Sequence, residues 1–239
     1  WTLSLKDNNI TLVDTLWALF FLFSTLFSFF AYADPSPRAW LTLSLVAIWA
    51  CRLSGHLHNR NHNKPEDARY QAIRARNQPN FRIKSLYLVF LLQAVLAWII
   101  ATPLHAATVS TNALNAWDAL GIALWLIGMF FQVLGDSQLA RFVAQPGNKG
   151  KVLSSGVWRY TRHPNYFGDA CTWWGIWLIA CETGLPGWIS IIGPIFLTFT
   201  LTRWSGKPML EYGMKKTRPG YAEYVARTSG FFPLPPKSR

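Results

Sequence analysis

Long apolar blocks separated by short polar or strongly basic connections dominate this chain. The blocks run over 10–33, 39–55, 85–103, 117–135, 167–181 and 187–203. They reach or approach the ~20 apolar residues that an α-helix needs to cross a bilayer. The second and fifth are short and draw on flanking residues such as Arg52, Leu53, Tyr166 and Phe167. The pattern predicts an all-α, polytopic membrane helix bundle with six helices, forming one transmembrane domain over 1–239.

Charge sharpens this picture. The protein has 239 residues, 51% of them hydrophobic and 14% charged, and a net charge of +12. Such a charge taken alone fits a nucleic-acid partner, but its placement points to a membrane instead. Of the 23 lysines and arginines, all except Arg38 fall on one side of six alternating crossings. By the positive-inside rule both ends of the chain are expected in the cytoplasm. Cys51, Cys171 and Cys181 fall in or beside apolar segments without metal-ligand spacing and read as packed thiols. No cleavable signal peptide is expected, because no small-residue cleavage site follows a short apolar core.

The polar residues that enter the apolar blocks are the candidates for chemistry. Asp14 and Trp17 lie at the start of the first block, where a carboxylate either favours the helix dipole or faces a protein interior. Arg52 and His56, four apart at the end of the second block, share a helical face that can look into a pocket. His56, His58 and His62 fall within seven residues, yet no second histidine cluster completes a metal box, so no metal is expected. Glu66, Asp67 and Arg69 sit on the basic connection that follows, as a solvated cap or a closure over the pocket. Gln93 reads as helix–helix glue. Gln132 and Asp136 share one face of the fourth block, with Arg141 one turn beyond.

The densest stretch is Ser155-Gly-Val-Trp-Arg-Tyr-Thr-Arg-His-Pro-Asn-Tyr-Phe-Gly-Asp169. Pro164 fits the first turn of a helix, where its missing N–H costs nothing. A helix beginning there puts Asn165 and Asp169 on one face and offers free N–H groups to an anion, with Arg159 and Arg162 just ahead. Such basic residues can simply touch lipid headgroups, but the polar series continues into the apolar block and so reads as the mouth of a pocket. Arg203, Lys207 and Glu211 align at i, i+4 and i+8 on the last block if Pro208 does not kink it. The tail ends in Phe231-Phe-Pro-Leu-Pro-Pro, suited to a membrane interface. Soluble-type dinucleotide motifs and internal repeats are absent.

Trp158-Arg-Tyr-Thr-Arg-His-Pro-Asn-Tyr-Phe-Gly-Asp169 resembles the steroid 5α-reductase family, in particular bacterial members of the DUF1295 type. The likeness extends to Leu12-Val-Asp-Thr-Leu-Trp17, Arg52-Leu-Ser-Gly-His56, Glu66-Asp-Ala-Arg-Tyr70, Asp136-Ser-Gln-Leu-Ala-Arg141-Phe and Arg218-Pro-Gly-Tyr-Ala-Glu-Tyr224. Isoprenylcysteine and phospholipid methyltransferases carry a similar R-H-P-x-Y-x-G core, and Asn165 with the 136–142 element favours the reductases. The resemblance implies seven helices, one more than are counted here, with NADPH held on the cytoplasmic side. It also implies hydride delivery to the β-carbon of a lipid enone, typically a 3-oxo-Δ4 steroid reduced to its 5α product.

Residue by residue, it implies that Asp136 and Asn165 meet the cofactor, joined by Asp169, Trp173, Arg162 and His163. Lys151 and Arg141 stand where a 2′-phosphate could be met, and Arg203, Lys207 and Glu211 match positions on the last helix. Arg159, Tyr166 and Tyr224 complete the candidate cofactor set. Trp17, Trp49, Arg52 and His56 are the candidate substrate contacts. Asp14 stands for the family's catalytic carboxylate. The tyrosine that partners it falls to Tyr32, Tyr87 or Tyr166, with Tyr87 taken as the candidate. The expected partners are a lipophilic enone and membrane lipid, with no nucleic acid, metal or obligate protein partner. The competing readings are a membrane methyltransferase using S-adenosylmethionine and a non-enzymatic lipid-binding membrane protein.

Overall fold

The computed structural model describes residues 1–31, 35–204 and 206–237. Tyr32 lies outside them. The described chain is nearly all helical and has no strands, as expected for a polytopic helical membrane bundle. In chain order the helices are α1 (Thr2–Lys6), α2 (Leu12–Phe30), α3 (Pro37–Asn61), α4 (Ala68–Arg76), α5 (Phe81–Ile100), α6 (Thr102–Thr108) and α7 (Ala116–Ala144). They continue with α8 (Pro164–Ala180), α9 (Leu185–Ile189), α10 (Ile192–Phe199), α11 (Lys207–Thr217) and α12 (Tyr221–Arg227).

Among the described residues five stretches are long and apolar enough to cross a membrane: α2, α3, α5, α7 and Leu185–Thr217. The remaining block of the sequence reading is α8, whose 17 residues sit at the short end of what a crossing needs. Helix starts follow local chemistry. The Ser36 hydroxyl accepts from the Ala39 N–H ahead of Pro37, and Asn115 with Asp118 forms a reciprocal cap on α7. Outer faces are apolar: Phe27, Ile48, Trp98 and Phe130 are all more than half exposed. Cys51 lies on such a face rather than packed inside, whereas Cys171 and Cys181 are buried.

The chain forms two compact units, Trp1–Leu114 with Glu182–Ser190, and Asn115–Cys181 with Ile191–Arg239. In the first, α2 pairs with α3, and an edge-to-face series Trp17–Phe21–Trp49 with 5.3 and 5.6 Å between ring centres fills the seam. His105 of α6 bridges Ser24 and Ser28 of α2 through its two ring nitrogens, at 3.1 and 2.6 Å. Arg38 is fully buried and donates to the carbonyls of Asn112 and Ala113 and to the Ser110 hydroxyl.

The second unit is built on the antiparallel contact of α7 with α8. Gly121, Gly128 and Gly135 recur every seven residues on one helix, and Gly168 and Gly175 on the other. A Cβ on Gly121 would sit 2.6 Å from the Gly175 carbonyl, and one on Gly128 would sit 2.5 Å from the Gly168 carbonyl. Backbone touches backbone, the close approach that small residues permit in membranes. The buried Gln132 amide donates to Thr172 Oγ1 at 2.9 Å across the same seam.

Gly128→Ala is expected to destabilise the folded protein by about 1–3 kcal/mol, the usual cost of overpacking. Gly55→Ala, at a helical glycine with nothing within 4 Å of the new Cβ, is expected to be neutral or up to about 1 kcal/mol stabilising. Thermal unfolding of the two variants in detergent, followed by tryptophan fluorescence, checks the contrast. Equal midpoints would refute the packing account.

Candidate functional site

In the second unit the glycine seam sets the site. Gly135 fits against Pro164 and the Asn165 backbone, where a Cβ would lie 3.1 and 3.3 Å away. This brings Asp136 of α7 to the first turn of α8, and Asn165 Nδ2 points to Asp136 Oδ1 at 3.4 Å. Asn165 Oδ1 also accepts from the Tyr166 N–H. Asp136, Asn165, Tyr166 and Asp169 are half-buried, and Trp173 is buried below them on α8. The turn before α8 is tied to α7 because the Trp158 indole donates to the Gly135 carbonyl and the Val157 N–H donates to Gln138 Oε1.

Arg162 and His163 face a different task. Glu211 Oε1 accepts from Arg162 Nε at 2.9 Å and from His163 Nε2 at 3.0 Å, all three groups being buried. Arg162 Nη1 also donates to the Thr228 and Val225 carbonyls, and its N–H to the Ser229 carbonyl. The motif's two strongest polar residues therefore lock α11 and the tail to the start of α8. The Tyr166 ring stacks on His163 at 5.3 Å. Lys207 and Arg162 both approach Gly230, where a Cβ would lie 3.2 Å from Lys207 Cε and from Arg162 Nη2. Burial holds the His163 imidazole below its ordinary 6.5 despite the Glu211 carboxylate, and Arg162 and Lys207 push the same way as burial.

The other cationic candidates spread along the connections. Arg141 Nε donates to the Ser137 carbonyl, and the Lys151 carbonyl accepts from Arg218. Arg203 is exposed within a π-helical turn, Thr200–Trp204. Arg159 and Tyr224 line a separate cavity of about 520 Å3 that neither Asp136 nor Asn165 enters.

In the first unit the basic connection docks onto the start of α2. Glu66 accepts from the Ile10 N–H and from Arg74, and the Asp67 N–H donates to Thr11 Oγ1. Burial would raise the Glu66 carboxyl, but Arg74 and the Ile10 N–H hold it below the usual range. Docking carries two side chains onto Asp14: Arg69 Nη2 donates to Oδ2 at 2.7 Å, and the Tyr70 hydroxyl donates to Oδ1. Gln93 of α5 donates to the Tyr70 hydroxyl at 3.1 Å. Tyr70 is 5% exposed, among Ile10, Val13, Phe81 and Val89. Burial and the Asp14 charge push its phenol well above the ordinary value, so it stays protonated.

Tyr70 is the functional candidate that the residue types alone did not single out. The signal was present, since Tyr70 ends the Glu66-to-Tyr70 element. Tyr87 is half exposed on a π-helical turn of α5, Leu86–Leu91, and Tyr70 holds the place against Asp14. Trp17 and Trp49 share the aromatic seam above, while Arg52 and His56 are half-buried on α3. The His58 and His62 rings lie 5.1 Å apart, but no cluster of three or more metal-ligating residues occurs among the described residues.

A family model described as "Protein of unknown function (DUF1295)" matches residues 1–228. The uncharacterized protein C594.04c of Schizosaccharomyces pombe is 23% identical over 98% of this chain and 75% of its own length. Mouse 3-oxo-5-alpha-steroid 4-dehydrogenase 1 is 35% identical over 34% of this chain, and its human counterpart 33% identical over 37%. The match spans less than a third of those two relatives, 29% and 31% of their lengths. No solved structure matches the chain.

The buried imidazole makes stability depend on pH. Because the fold holds the His163 imidazole below its ordinary 6.5, its contribution is fully present above 6.5 and is lost as pH falls from there through the lowered folded value. The unfolding free energy is expected to drop between pH 7.5 and 5.5, by up to about 1.4 kcal/mol per pH unit from this group, and the unfolding midpoint with it. His163→Gln should shrink that drop, and an unchanged pH slope in the variant would refute the assignment.

Proposed function

The chain belongs to the DUF1295 family, and from that premise we propose that it is a membrane reductase using NADPH to saturate the C=C bond of a lipid enone. A 3-oxo-Δ4 steroid, reduced to the 5α product, is the first candidate substrate. The names of the mammalian relatives, matched over about a third of this chain, support both the reductase class and the steroid reading. The observation that carries the reading is the Asp14–Tyr70 pair, a carboxylate and a protonated phenol held together at the start of a membrane-crossing helix.

The donor set of the second unit fits a dinucleotide. Asn165 and Asp136 offer an amide and a carboxylate for carboxamide and ribose hydroxyl groups, and a 3.4 Å hydrogen bond joins them. Arg141, Lys151, Arg203 and Lys207 supply cations for its phosphates. When bound, NADPH supplies a hydride for the β-carbon of the enone. Arg162, His163 and Glu211 position the start of α8 instead of meeting the ligand directly.

Reduction moves negative charge onto the substrate's carbonyl oxygen, which then needs a hydrogen-bond donor in a water-poor place. Tyr70 is that donor: burial keeps its proton on, and Gln93 orients its oxygen. Asp14 accepts the phenol proton's hydrogen bond in the resting protein and yields that place to the substrate oxygen. Arg69 keeps the carboxylate where it is. A proton from solvent to the α-carbon completes the saturated ketone. On this reading the basic end of the bundle, with the cofactor, faces the cytoplasm.

Purified protein in detergent is expected to oxidise NADPH in a single turnover when a 3-oxo-Δ4 steroid is added, with a 5α-reduced product by mass spectrometry. Tyr70→Phe should lower turnover by about 10²–10³-fold, the usual worth of one oxyanion donor, while NADPH still protects against unfolding. A greater loss in Tyr87→Phe than in Tyr70→Phe would return the donor to Tyr87. Asn165→Ala should lose both turnover and protection by NADPH. Protection by S-adenosylmethionine and none by NADPH would overturn the reductase reading.

A further inference from the structure

The cavity of about 520 Å3 in the second unit is lined by Ser154, Ser155, Arg159 and Arg227, with Glu223 as its one carboxylate. Val152, Pro219 and Pro236 add apolar wall. Its frame is fixed by three hydrogen bonds: the Trp158 indole to the Gly135 carbonyl, the Val157 N–H to Gln138, and the Tyr224 hydroxyl to the Trp158 carbonyl at 2.6 Å. Within that frame Arg159 donates to no described residue, unlike Arg162 and Arg218, whose guanidinium groups are already engaged. Arg227 meets Glu223 only at 3.8 Å, with both side chains about half exposed. Among the described residues that line the cavity, two guanidinium groups face one carboxylate, a net positive charge.

What surrounds it selects the kind of anion. Tyr160 follows Arg159 directly and is 44% exposed, and its carbonyl accepts from the Leu234 N–H, which places Leu234 beside it. Leu234 and Phe232 are 55% and 65% exposed. Phe232 continues inward through Phe167 at 6.1 Å and Phe131 at 5.0 Å to α7, whose outer face carries exposed Phe130 and Val133. These ring contacts connect the tail segment beside Tyr160 to the exposed apolar face of a helix long enough to cross a membrane. Exposed aromatic side chains close in sequence to arginines are the combination that suits the boundary between acyl chains and phosphates.

We propose that this cavity binds the phosphate headgroup of an anionic membrane phospholipid, its acyl chains lying against Tyr160, Phe232 and Leu234. Arg159 and Arg227 take the phosphate, Ser154 and Ser155 offer hydroxyl donors, and Glu223 weakens the site by occupying part of the field of Arg227. The proposal stands apart from the reductase reading and needs no turnover to test.

The test is native mass spectrometry of the full chain released from nanodiscs that mix phosphatidylglycerol with phosphatidylcholine. Wild-type protein is expected to retain phosphatidylglycerol in preference. Each of Arg159→Gln and Arg227→Gln should reduce that preference about five-fold, the worth of one basic side chain at an anionic surface, and Glu223→Gln should increase it. The unfolding midpoint in detergent without lipid verifies folding, and Glu223→Gln tests the site by gain even where an arginine variant folds poorly. Equal retention of the two lipids by wild type, or an unchanged preference in both arginine variants, overturns the proposal. So does a rise in midpoint with adenosine 2′,5′-bisphosphate in lipid-free detergent that Arg159→Gln abolishes, because the cavity would then hold a nucleotide.

Discussion

The backbone contact between α7 and α8 is the constraint on which the second unit depends. Where carbonyl meets Cα without a side chain between, the relative register of two helices cannot drift by a residue without a clash. That register decides that Gly135 sits on Pro164, and hence that Asp136 reaches Asn165. A looser, leucine-filled seam would hold the helices apart by a side-chain layer and leave the carboxylate and the amide on separate surfaces. The same seam anchors the turn that follows, because the Trp158 indole donates its hydrogen bond to the Gly135 carbonyl. One row of absent side chains thereby fixes both the polar site on α8 and the frame of the adjoining cationic cavity.

Polar groups in the two units are held by opposite means. Arg162, His163 and Glu211 satisfy one another and the tail's carbonyls in a buried network, which is costly to leave half-made and rigid once complete. Asp14 and Tyr70 come together only because a surface connection, capped by Asp67 and pinned through Glu66 and Arg74, folds back over the start of α2. Such a docked connection can part from its helix at lower cost than a buried network can. That would suit the donor role proposed for Tyr70, which calls for one acceptor to be exchanged for another.

The bundle was legible in the sequence because hydrophobic length and charge asymmetry are summed over many residues, so single errors cancel. The six apolar blocks correspond to α2, α3, α5, α7, α8 and the 185–217 stretch, with ends displaced because polar residues such as Arg52 and Arg141 extend the helices past their apolar parts. The seven-residue glycine spacing was equally present in the sequence, yet a glycine in an apolar run reads as a neutral interruption until its partner helix is known. Asp136 and Asn165 were found as candidates by their polarity. Their closeness depends on that seam, which no local pattern states. The partnership of Asp14 with Tyr70 joins residues 56 apart through a connection with no apolar periodicity to announce it.

The hardest matter to read from sequence is which cation is already spent. Arg159 and Arg162 stand three residues apart in one motif, and composition gives them equal claim on an anion. The fold separates them: the Arg162 guanidinium turns inward to Glu211 and two carbonyls, while Arg159 stays at a cavity wall with no protein acceptor among the described residues. A guanidinium carries five N–H donors in a fixed fork, so one that is engaged in a buried network has little left for a ligand. Motif membership therefore does not assign ligand contact. In this chain the acceptors supplied by α11 and the tail make the distinction, and they lie about fifty to seventy residues beyond the motif they complete.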